Sequence, residues 1–573
     1  MLGVRIGRKR GRAESSSPLE RALAPALAEG RWQVPGRFNF ARDVVEALAA
    51  DPKRPALTFL GPDGVIEPRT FLQLAEGATR WATVLREQGV RPGERVLVHA
   101  RTGPLWLEAL LGCLKAGAVA VAGRMPVRGD EVEDLLAVTG AAVVLADPAG
   151  EPELQRVSGP AHVHYLEEAP RRRGGGAQEL APTEDTAAKD VAYLVATVGT
   201  GGAPKLVAHT HGSTFAARVA AEHWLDLGPG DAVWCTFPGS TPQALWHVFG
   251  AWARGAQVVL HDGDFDPEER LELVFRLGAT VLCQSPAEYR ALAGRRDLAR
   301  YRPPHLRRLV ATGDALDGDV VRVFEQAWGL TVHDGYGQAE TGIVVAAGSD
   351  AGYRAGSLGL PLPGHELAVV DDQGNELPTG IEGNLAVRGR PPTLFVGYWE
   401  APEETRSAFR GDWYLTGDVA TADEDGFFWF VARADDVIAS GGRTFGPLEA
   451  ERVLRSHEAV AECAVVGVRD LQRGGHFVRA FVVVAPHLEA SQQLEAELRH
   501  FAAESLPAHQ VPREIEFVDE LPATGAHGKL RRAALRERAV VGRPLWDLPP
   551  VSEPAAEAAP QPIALVQPPA PAP

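Results

Sequence analysis

Cysteine is scarce in this chain, and its spacing excludes two common ways of stabilising a fold. Four cysteines occur among 573 residues, and no two of them form a CxxC pair. A disulfide framework needs a high density of cysteines, and a zinc ribbon needs them in closely spaced pairs. The sequence therefore supports neither a disulfide framework nor a zinc ribbon.

Long apolar runs are missing as well. The best candidate, residues 105–123, is interrupted by Glu108 and Lys115, whereas a membrane-spanning helix needs about 20 consecutive apolar residues. The N-terminal segment carries several arginines but has no apolar signal core after them. We therefore expect a cytoplasmic protein without a membrane span.

Positive charge is in deficit, and lysine is rarer still. The formal net charge is -17, which argues against a general nucleic-acid or anionic-membrane binder because both need a positively charged face. A local basic pocket for phosphates stays compatible with that total. Of the 58 basic residues, six are lysines. A lysine kept in a glycine-containing loop is therefore a good candidate for a lysine-specific role.

The chain does have enough apolar material for a large core. Apolar residues make up 45% and charged residues 23% of the sequence, close to globular averages. Short β-branched runs alternate with helical patterns, which predicts parallel sheets covered by helices. The predicted strands are 95–99, 142–145, 191–196, 257–261, 280–283, 309–312 and 331–333, and the predicted helices include 105–116, 265–277 and 317–328. Strands of a smaller β-unit follow at 366–370 and 384–387.

These patterns divide the chain into four segments. Residues 1–35 form a polar, basic lead-in that we expect to be flexible, and residues 546–573 form a Pro/Ala-rich tail that we expect to be disordered. Residues 36–434 form a large α/β domain with parallel sheets, helices and a small β-unit. Residues 435–545 form a smaller α+β domain, with predicted elements at 448–456, 461–468, 478–484, 492–502 and 514–518.

The segment TVGTGGAPK, from Thr197 to Lys205, has the composition of a phosphate-binding loop. Its glycines let backbone amides approach phosphate oxygens, and the lysine adds a mobile positive charge. It is not a Walker loop, because Pro204 precedes the lysine and no Ser or Thr follows. From these residues alone, a phosphate loop and a flexible surface turn stay equally open.

Two acidic residues are candidates for binding a nucleotide. The segment DGYGQAETG at 334–342 follows a predicted parallel strand, where α/β sheets bind ligands, and its Glu340 could hold Mg²⁺. The segment YLTGD at 414–418 ends in Asp418, which could accept hydrogen bonds from ribose hydroxyls. A solvated loop glutamate and an aspartate in an Asx-turn are the alternatives.

Two further segments offer cations. RADD at 433–436 lies at the predicted domain boundary, and Arg433 could pair with phosphate through two hydrogen bonds. LPATGAHGKLRR at 521–532 places Lys529 on a glycine-containing loop from which it could reach another domain's site. The alternatives are a surface ion pair and a solvated lysine, which contribute little.

The order of these motifs resembles one family. The chain is similar to the adenylate-forming (AMP-binding) superfamily of acyl-CoA synthetases, adenylation domains and luciferases, and most of all to the medium-chain acyl-CoA synthetases. The resemblance runs from about residue 38 to residue 538. It is most specific in LRRLVATGDALDGDVVRVFEQAWGLTVHDGYGQAETG at 306–342 and in RADDVIASGGRTFGPLEAERVL at 433–454.

The resemblance implies a two-step reaction and a role for each motif. A carboxylate attacks the α-phosphorus of ATP and forms an acyl-adenylate, and then a thiol, usually that of coenzyme A, displaces AMP. The implied catalytic residues are Lys205, Glu340 and Lys529, with Glu340 as the Mg²⁺ ligand. The implied nucleotide and CoA contacts are Thr197, Gly199, Thr200, Gly202, Gly313, Asp314, Ala315, Tyr336, Asp418, Arg433, Gly441 and Gly442.

The resemblance also implies movement. Asp435 corresponds to a hinge about which the small domain turns, so that domain is expected to be mobile. The turn would withdraw Lys529 after adenylation and present the Gly441–Gly442 region to the pantetheine channel. Lys529 would first neutralise charge between the carboxylate and the phosphate, two anions that otherwise repel each other.

Four positions depart from the family pattern. Hydroxyl side chains are usual where Val198 and Gly201 stand, a glycine where Leu206 stands, and a threonine where Ala339 stands. A lost donor to a charged phosphate is worth about 1.5–3 kcal/mol. We still expect an active ligase, because the family's main charged residues are present.

The sequence therefore predicts an ATP-dependent carboxylate–CoA ligase that uses ATP, Mg²⁺ and coenzyme A on a medium-chain fatty or aryl acid. Transfer to a separate carrier-protein thiol and a catalytically impaired nucleotide-binding relative stay open as alternatives. Trp246, Val248 and Gly335 are expected to flank the acyl channel. The oligomeric state is not predicted.

Overall fold

The computed structural model describes residues 32–157, 161–166, 182–197, 205–347, 354–440, 443–469, 476–486, 488–524 and 529–541. These residues divide into two compact units. The larger unit extends to Val437 and includes Thr444–Glu449 and Ala523–Leu530. The smaller unit consists of Ile438–Arg443, Ala450–Pro522 and the chain from Arg531 onward. The boundary and hinge at Asp435 stay predictions.

The strands follow one another closely along the chain. Those in the described residues are β1 (Pro55–Leu60), β2 (Ile66–Thr70), β3 (Arg95–His99), β4 (Val119–Ala122), β5 (Val143–Ala146), β6 (His162–Tyr165), β7 (Val191–Thr197), β8 (Lys205–Thr210), β9 (Ala232–Cys235), β10 (Gln257–His261), β11 (Val281–Gln284), β12 (Arg308–Thr312), β13 (Val332–Gln338), β14 (Gly342–Ala346), β15 (Leu360–Pro361), β16 (Leu367–Val370), β17 (Gly383–Arg388), β18 (Gly397–Tyr398), β19 (Phe409–Arg410), β20 (Trp413–Ala422), β21 (Phe428–Arg433), β22 (Ile438–Ser440), β23 (Arg443–Phe445), β24 (Val460–Arg469), β25 (His476–Val484), β26 (Glu514–Phe517), β27 (Ala523–Thr524) and β28 (Lys529–Leu530).

The helices lie between these strands, as the alternating pattern predicts. Those in the described residues are α1 (Phe71–Glu87), α2 (Pro104–Lys115), α3 (Gly129–Thr139), α4 (Glu151–Leu154), α5 (His211–Ala216), α6 (Arg218–His223), α7 (Pro242–Ala253), α8 (Pro267–Arg276), α9 (Pro286–Ala293), α10 (Gly318–Trp328), α11 (Pro402–Ser407), α12 (Leu448–Arg455), α13 (Gln492–Ser505) and α14 (Arg532–Val541). Within the described part of the chain, no helix is both long enough and apolar enough to span a bilayer.

Proline and short polar residues determine where several helices begin. Proline is the first residue of α7, α8 and α9, a position where its missing N–H is not needed. The residue before each proline caps the helix through its side chain: Thr241, Asp266 and Ser285 each accept a hydrogen bond from a backbone N–H of the first turn. Such caps contribute about 1 kcal/mol each.

The larger unit contains a sheet whose nine described strands have the order β15-β14-β13-β12-β11-β9-β10-β1-β2. Neighbouring strands from β13 through β1 are parallel, and the pairs at both edges are antiparallel. The carboxyl ends of β9, β11, β12 and β13 therefore lie at the same edge, where open α/β sheets bind ligands.

A second sheet of the larger unit has the order β18-β8-β7-β4-β3-β5-β6 across its described strands. Its β3, β4, β5, β6 and β7 pair in parallel, whereas β7–β8 and β8–β18 are antiparallel. The predicted small β-unit is a third, antiparallel sheet, in which β16, β17, β20 and β19 are neighbours and β21 pairs with β20.

The smaller unit has the α+β composition that the sequence predicts. Its β24 and β25 are antiparallel, and β26 adds to β25 in parallel. Glu451 is buried and accepts hydrogen bonds from the backbone N–H of Val465 at 2.9 Å and from Arg532 Nη2 at 2.7 Å. This ion pair satisfies a carboxylate that would be costly to bury alone.

Candidate active site

The hairpin of β13 and β14 carries three side chains of the candidate site. After pairing in parallel with β12, β13 continues to Gln338 and pairs antiparallel with β14, so Glu340 lies in the turn of this hairpin. A Cβ atom on Gly337 would lie 2.0 Å from the carbonyl oxygen of Gly342. Only glycine permits the two strands to approach this closely.

Asp418 is the centre of a buried polar cluster. The Tyr336 hydroxyl donates a hydrogen bond to Asp418 Oδ2 at 2.5 Å, and Gln338 Nε2 donates to the same oxygen at 2.8 Å. Arg433 Nη1 lies 3.0 Å from Asp418 Oδ1, because β20 and β21 place these two residues opposite each other. The structure therefore brings the predicted residues Tyr336, Asp418 and Arg433 together.

The electrostatics of this cluster keep its donors protonated. Burial, reinforced by the charge of Asp418, raises the pKa of Tyr336 well above its usual value. For Arg433, burial opposes the charged form, but the carboxylate of Asp418 raises the pKa above its usual value. At neutral pH the cluster thus presents a guanidinium and neutral donors around one carboxylate.

A second cluster joins Glu340 to Lys205. The Tyr398 hydroxyl donates to Glu340 Oε1 at 2.8 Å, and Lys205 Nζ lies 4.9 Å from the centroid of the Tyr398 ring. Tyr398 reaches this position because β18 pairs with β8, with Tyr398 opposite Val207. Burial raises the pKa of Glu340, and the hydrogen bond from Tyr398 opposes that rise.

The donor chemistry at Glu340 fits a magnesium ion. Mg²⁺ prefers hard oxygen ligands and is usually held by one or two carboxylates together with phosphates and water. Glu340 is 7% exposed, and the tyrosine that supports its Oε1 fixes its orientation. The neighbouring ammonium group of Lys205 can pair with phosphate oxygens of the same ligand.

The structure describes both ends of the predicted phosphate loop. Thr197 and Lys205 pair with each other at the last position of the β7–β8 hairpin. The residues between them, which include Gly199, Thr200 and Gly202 and the departures at Val198 and Gly201, lie outside the described residues. Lys205 is exposed at the mouth of the hairpin, as a phosphate-contacting side chain needs to be.

Two of the positions that depart from the family pattern make defined contacts in the structure. Leu206 is buried in β8 within a hydrophobic cluster of the second sheet, and its carbonyl accepts a hydrogen bond from Trp399 N at 2.8 Å. The carbonyl of Ala339 lies 2.6 Å from His209 Nε2. Leu206 therefore adds core packing, and Ala339 contributes through its backbone.

The predicted adenine-side segment follows β12. Gly313 has a φ of 99°, a conformation that favours glycine. The Asp314 side chain accepts a hydrogen bond from Ala315 N at 2.8 Å and is exposed. Nearby, burial raises the pKa of Asp334 to about 7, with the charge of Asp314 adding to the rise. No role of its own was predicted for Asp334.

The later predicted residues are only partly described. Lys529 begins β28, where it pairs with Thr524 of β27 within the larger unit, and its side chain lies outside the described part of the chain. Gly441 and Gly442 also lie outside the described residues. Asp435 is in a short 3₁₀ turn directly after β21 and is exposed.

The three residues expected to flank the acyl channel, Trp246, Val248 and Gly335, lie in three different environments. Trp246 lines a small space of about 20 Å³ together with Tyr193, His209 and Ile343, room for about one water molecule. Val248 is buried in the core. A Cβ atom on Gly335 would lie 2.4 Å from the Trp224 ring, so Gly335 permits close packing there.

Sequence reasoning missed Gln338 and Tyr398. Gln338 could have been predicted from its position two residues after Tyr336. Side chains two residues apart in a strand lie on the same face of the sheet. Tyr398 had no such signal, since it meets Glu340 through pairing of strands that are distant in sequence.

The two clusters, around Asp418 and around Glu340, offer the charged groups that binding of a nucleotide with Mg²⁺ requires, as in the adenylate-forming class of enzymes. The family model for AMP-binding enzymes matches residues 44–399, and that for the C-terminal domain of AMP-binding enzymes matches residues 449–529. The chain belongs to the AMP-binding enzyme family.

Similar proteins of named activity agree with this class. The chain is 33% identical to human "Acyl-coenzyme A synthetase ACSM3, mitochondrial" over 531 residues, covering 88% of this chain and 90% of the relative. It is 34% identical over 520 residues to "Uncharacterized acyl--CoA ligase YtcI" of Bacillus subtilis (strain 168), covering 88% and 96%.

Solved structures show the same fold. The anthranilate CoA ligase AuaEII in complex with anthranoyl-AMP has a TM-score of 0.80 at 29% identity, covering 89% of this chain and 98% of that chain. A benzoate CoA ligase from Burkholderia xenovorans LB400 has a TM-score of 0.76 at 27% identity, covering 87% and 100%. The predicted fold class is confirmed, and the chain is an AMP-forming acid–CoA ligase that uses ATP and CoA.

Proposed function

We propose that this ligase activates an aryl or medium-chain fatty acid and transfers it to free CoA. The observation that carries the nucleotide half of the proposal is the Asp418 cluster, in which Tyr336 and Arg433 hold one buried carboxylate within 3.0 Å. A carboxylate fixed in this way can accept both hydroxyls of a ribose, as acids do in other nucleotide sites.

The proposed roles of the other residues follow from their charge and position. Lys205 and the backbone amides of the loop after Thr197 bind the phosphates of ATP. Gly313, Asp314 and Ala315 form the edge beside adenine, and Tyr336 stacks on the base. Glu340 holds Mg²⁺, which when bound screens the negative charge of the phosphate oxygens.

The first chemical step forms a carboxylate–phosphorus bond. One carboxylate oxygen of the acid attacks the α-phosphorus of ATP, and the bond to pyrophosphate breaks with its electron pair leaving on pyrophosphate. Repulsion between the two anions opposes this approach. We assign Lys529 to offset the repulsion by contacting both groups, in the manner of a preorganised cation.

In the second step the CoA sulfur attacks the acyl carbon, and AMP leaves with the electron pair of the acyl–oxygen bond. For this step we propose that the chain turns at Asp435, that Lys529 withdraws and that Gly441 and Gly442 border the pantetheine. A hinge of this kind needs a few residues that absorb a change in φ and ψ, and the exposed turn that contains Asp435 is such a place.

The proposed acid class is supported by the activities named for similar proteins. Two of the similar solved proteins are named as ligases of anthranilate and benzoate. We also propose the cytoplasm as the compartment.

Pyrophosphate release tests the proposal. The full chain is incubated with ATP, Mg²⁺ and single acids, namely benzoate, anthranilate, hexanoate, octanoate, acetate and malonate, with and without CoA. We expect at least one aryl or medium-chain acid to release pyrophosphate and, with CoA, to yield AMP and acyl-CoA in equal amounts. Release with acetate or malonate alone would contradict the acid class, and product only on a carrier-protein thiol would contradict CoA as the acceptor.

A further inference from the structure

A buried sulfur and imidazole cluster lies in the larger unit and has no role in the proposed reaction. It consists of Cys235, His247 and Cys283, and we call it the Cys2His cluster. One ligand atom from each residue lies within 4.8 Å of the other two, and all three side chains are buried. Two of the four cysteines in the chain therefore meet at one point.

The fold brings these residues together from separate elements. Cys235 ends β9, Cys283 lies in β11, and the parallel pairing of these strands places the two cysteines opposite each other. His247 lies in α7, which begins after a capped turn at Thr241. The spacing of residues 235, 247 and 283 matches no metal-binding sequence motif, so the sequence alone did not predict this cluster. The absence of CxxC pairs excludes a zinc ribbon but does not exclude ligands that the fold brings together.

The histidine has the orientation of a metal ligand. His247 Nδ1 lies 2.6 Å from the carbonyl oxygen of Gln243, which can only accept, so Nδ1 carries the proton. In the neutral ring the lone pair is therefore on Nε2, which is buried and has no hydrogen-bond partner among the described residues. The His247 side chain also interacts electrostatically with Cys235. Metal-binding histidines commonly donate their other N–H to a backbone carbonyl.

We propose that the Cys2His cluster binds a thiophilic metal ion, with Zn²⁺ as the physiological occupant. Thiolate and imidazole are the preferred ligands of Zn²⁺, at about 2.3 Å for sulfur and about 2.0–2.1 Å for nitrogen. Ligand atoms of a tetrahedral site lie about 3.4–3.8 Å apart by these bond lengths. The cluster reaches that spacing by side-chain shifts of about 1 Å, and three protein ligands leave the fourth position for a water or a further sulfur.

The ion would tie the carboxyl ends of β9 and β11 to α7. A Cβ atom on Gly313 would lie 3.7 Å from Gln243 Nε2 and 3.6 Å from the Phe237 ring. Gln243 also holds His247 through its carbonyl, so one residue connects the cluster to the predicted adenine-side segment. The role of the cluster is thus to brace one wall of the ligand-binding edge. Hard ions such as Mg²⁺ prefer oxygen ligands and would not compete.

The test measures metal content in the full chain. The protein is expressed in zinc-supplemented medium, dialysed against a chelator and analysed by mass spectrometry for zinc. We expect about one Zn²⁺ per chain, lost in Cys235→Ser, Cys283→Ser and His247→Ala. Cys113→Ser is the matched control, because Cys113 is a buried cysteine outside the cluster, and it should retain the metal.

A second measurement keeps the proposal testable even if a variant fails to fold. The unsubstituted chain, refolded with Cd²⁺, should show a thiolate-to-cadmium charge-transfer band in the near ultraviolet that Zn²⁺ suppresses. Absence of both zinc and the band would overturn the proposal. So would recovery of Cys235 and Cys283 as a disulfide, because neighbouring strands also bring cysteines within bonding reach. Neither result would affect the proposed ligase activity.

Discussion

At the residue scale, Asp418 shows how one carboxylate is held by groups of different chemistry. Its carboxylate oxygens lie within 3.0 Å of the Tyr336 hydroxyl, the Gln338 amide nitrogen and the Arg433 guanidinium. Tyr336 and Gln338 come from the same strand face, and Arg433 comes from the strand next to Asp418. The carboxylate is therefore oriented before any ligand arrives, which lowers the entropy lost on binding.

Replacing Asp418 by asparagine should weaken ATP binding. The change keeps the size of the side chain but removes the charge that accepts ribose hydroxyls, and a hydrogen bond to a charged group is worth about 1.5–3 kcal/mol. We expect the KM for ATP to rise about 10–100-fold. Asp412→Asn, at an exposed turn of the same sheet, is the control. Equal KM values for both variants would contradict the role of Asp418.

Replacing Tyr398 by phenylalanine should change the pH dependence of the reaction. Burial raises the pKa of Glu340 and the Tyr398 hydrogen bond lowers it, so loss of the hydroxyl raises this pKa further. Glu340 must be ionised to hold Mg²⁺, and activity is therefore lost as pH falls through that pKa. We expect the acidic limb of kcat/KM to move to higher pH in the variant.

The control for Tyr398→Phe is Tyr301→Phe, a tyrosine in a 3₁₀ turn that belongs to neither the Asp418 nor the Glu340 cluster. Its pH profile should match that of the unsubstituted enzyme. An acidic limb that stays in place in the Tyr398 variant, or that moves to lower pH, would show that the hydroxyl does not set the ionisation of Glu340.

At the element scale, nearly all the strands and helices that the sequence predicted by range lie within a few residues of elements in the structure. β3 and β10 have the predicted bounds, and α10 begins one residue later than predicted. These elements have strong apolar periodicity or a clear cap, which are local signals. The predicted and observed bounds therefore agree best for elements whose structure is determined by neighbouring residues in the sequence.

Among the strands that were predicted by range, the largest difference lies at the site. β13 continues five residues beyond the predicted end at 333, and β8 and β14 were not predicted. Glycines at 335 and 337 disfavour a strand by propensity, but pairing with β14 supplies the hydrogen bonds that hold them. Long-range pairing of this kind leaves no local signal in a single sequence.

Substitution at Gly337 tests the β13–β14 hairpin directly. A methyl group there would lie 2.0 Å from the carbonyl oxygen of Gly342, so the hairpin that carries Tyr336 and Glu340 must open. We expect Gly337→Ala to lower the Tm and to abolish adenylation. Overpacking of this kind typically costs about 1–3 kcal/mol.

The matched control is Gly318→Ala, at the first position of α10, where an added methyl group meets nothing within 4 Å. Alanine should stabilise this helix by up to about 1 kcal/mol and leave activity intact. A Gly337 variant as stable and active as the Gly318 variant would refute the close approach of the two strands.

At the scale of the whole molecule, the chain has two compact units and belongs to the AMP-binding enzyme family. Both features agree with a reaction in two steps, adenylation followed by transfer to a thiol. Much of this was available from the sequence, because motif order along some 500 residues identifies a family more reliably than any single loop. The contact of Lys529 with the two reacting anions rests on the family resemblance. The backbone of Lys529 lies in β28, and its movement between the two steps is our proposal.

Replacing Lys529 by alanine should separate the two half-reactions. Adenylation needs a cation between two anions, and loss of one preorganised donor costs about 10²–10³ in rate. We expect pyrophosphate release to fall by about that factor. Acyl-CoA formation from supplied acyl-adenylate should stay within a few-fold of the unsubstituted rate.

Lys189→Ala is the control for Lys529→Ala, because Lys189 is exposed and has no proposed role. Both half-reactions should be unchanged in it. If Lys529→Ala slows both half-reactions equally, the lysine does not leave between them. If neither half-reaction slows, its assignment to adenylation is wrong.

The most direct measurement follows oxygen from the acid into AMP. The acid accepted best in the substrate screen is labelled with ¹⁸O in its carboxylate and converted with ATP and CoA, and the products are analysed by mass spectrometry. Attack of the carboxylate on the α-phosphorus predicts one ¹⁸O atom in each AMP formed. Label in inorganic phosphate together with ADP, or AMP without label, would contradict an acyl-adenylate intermediate.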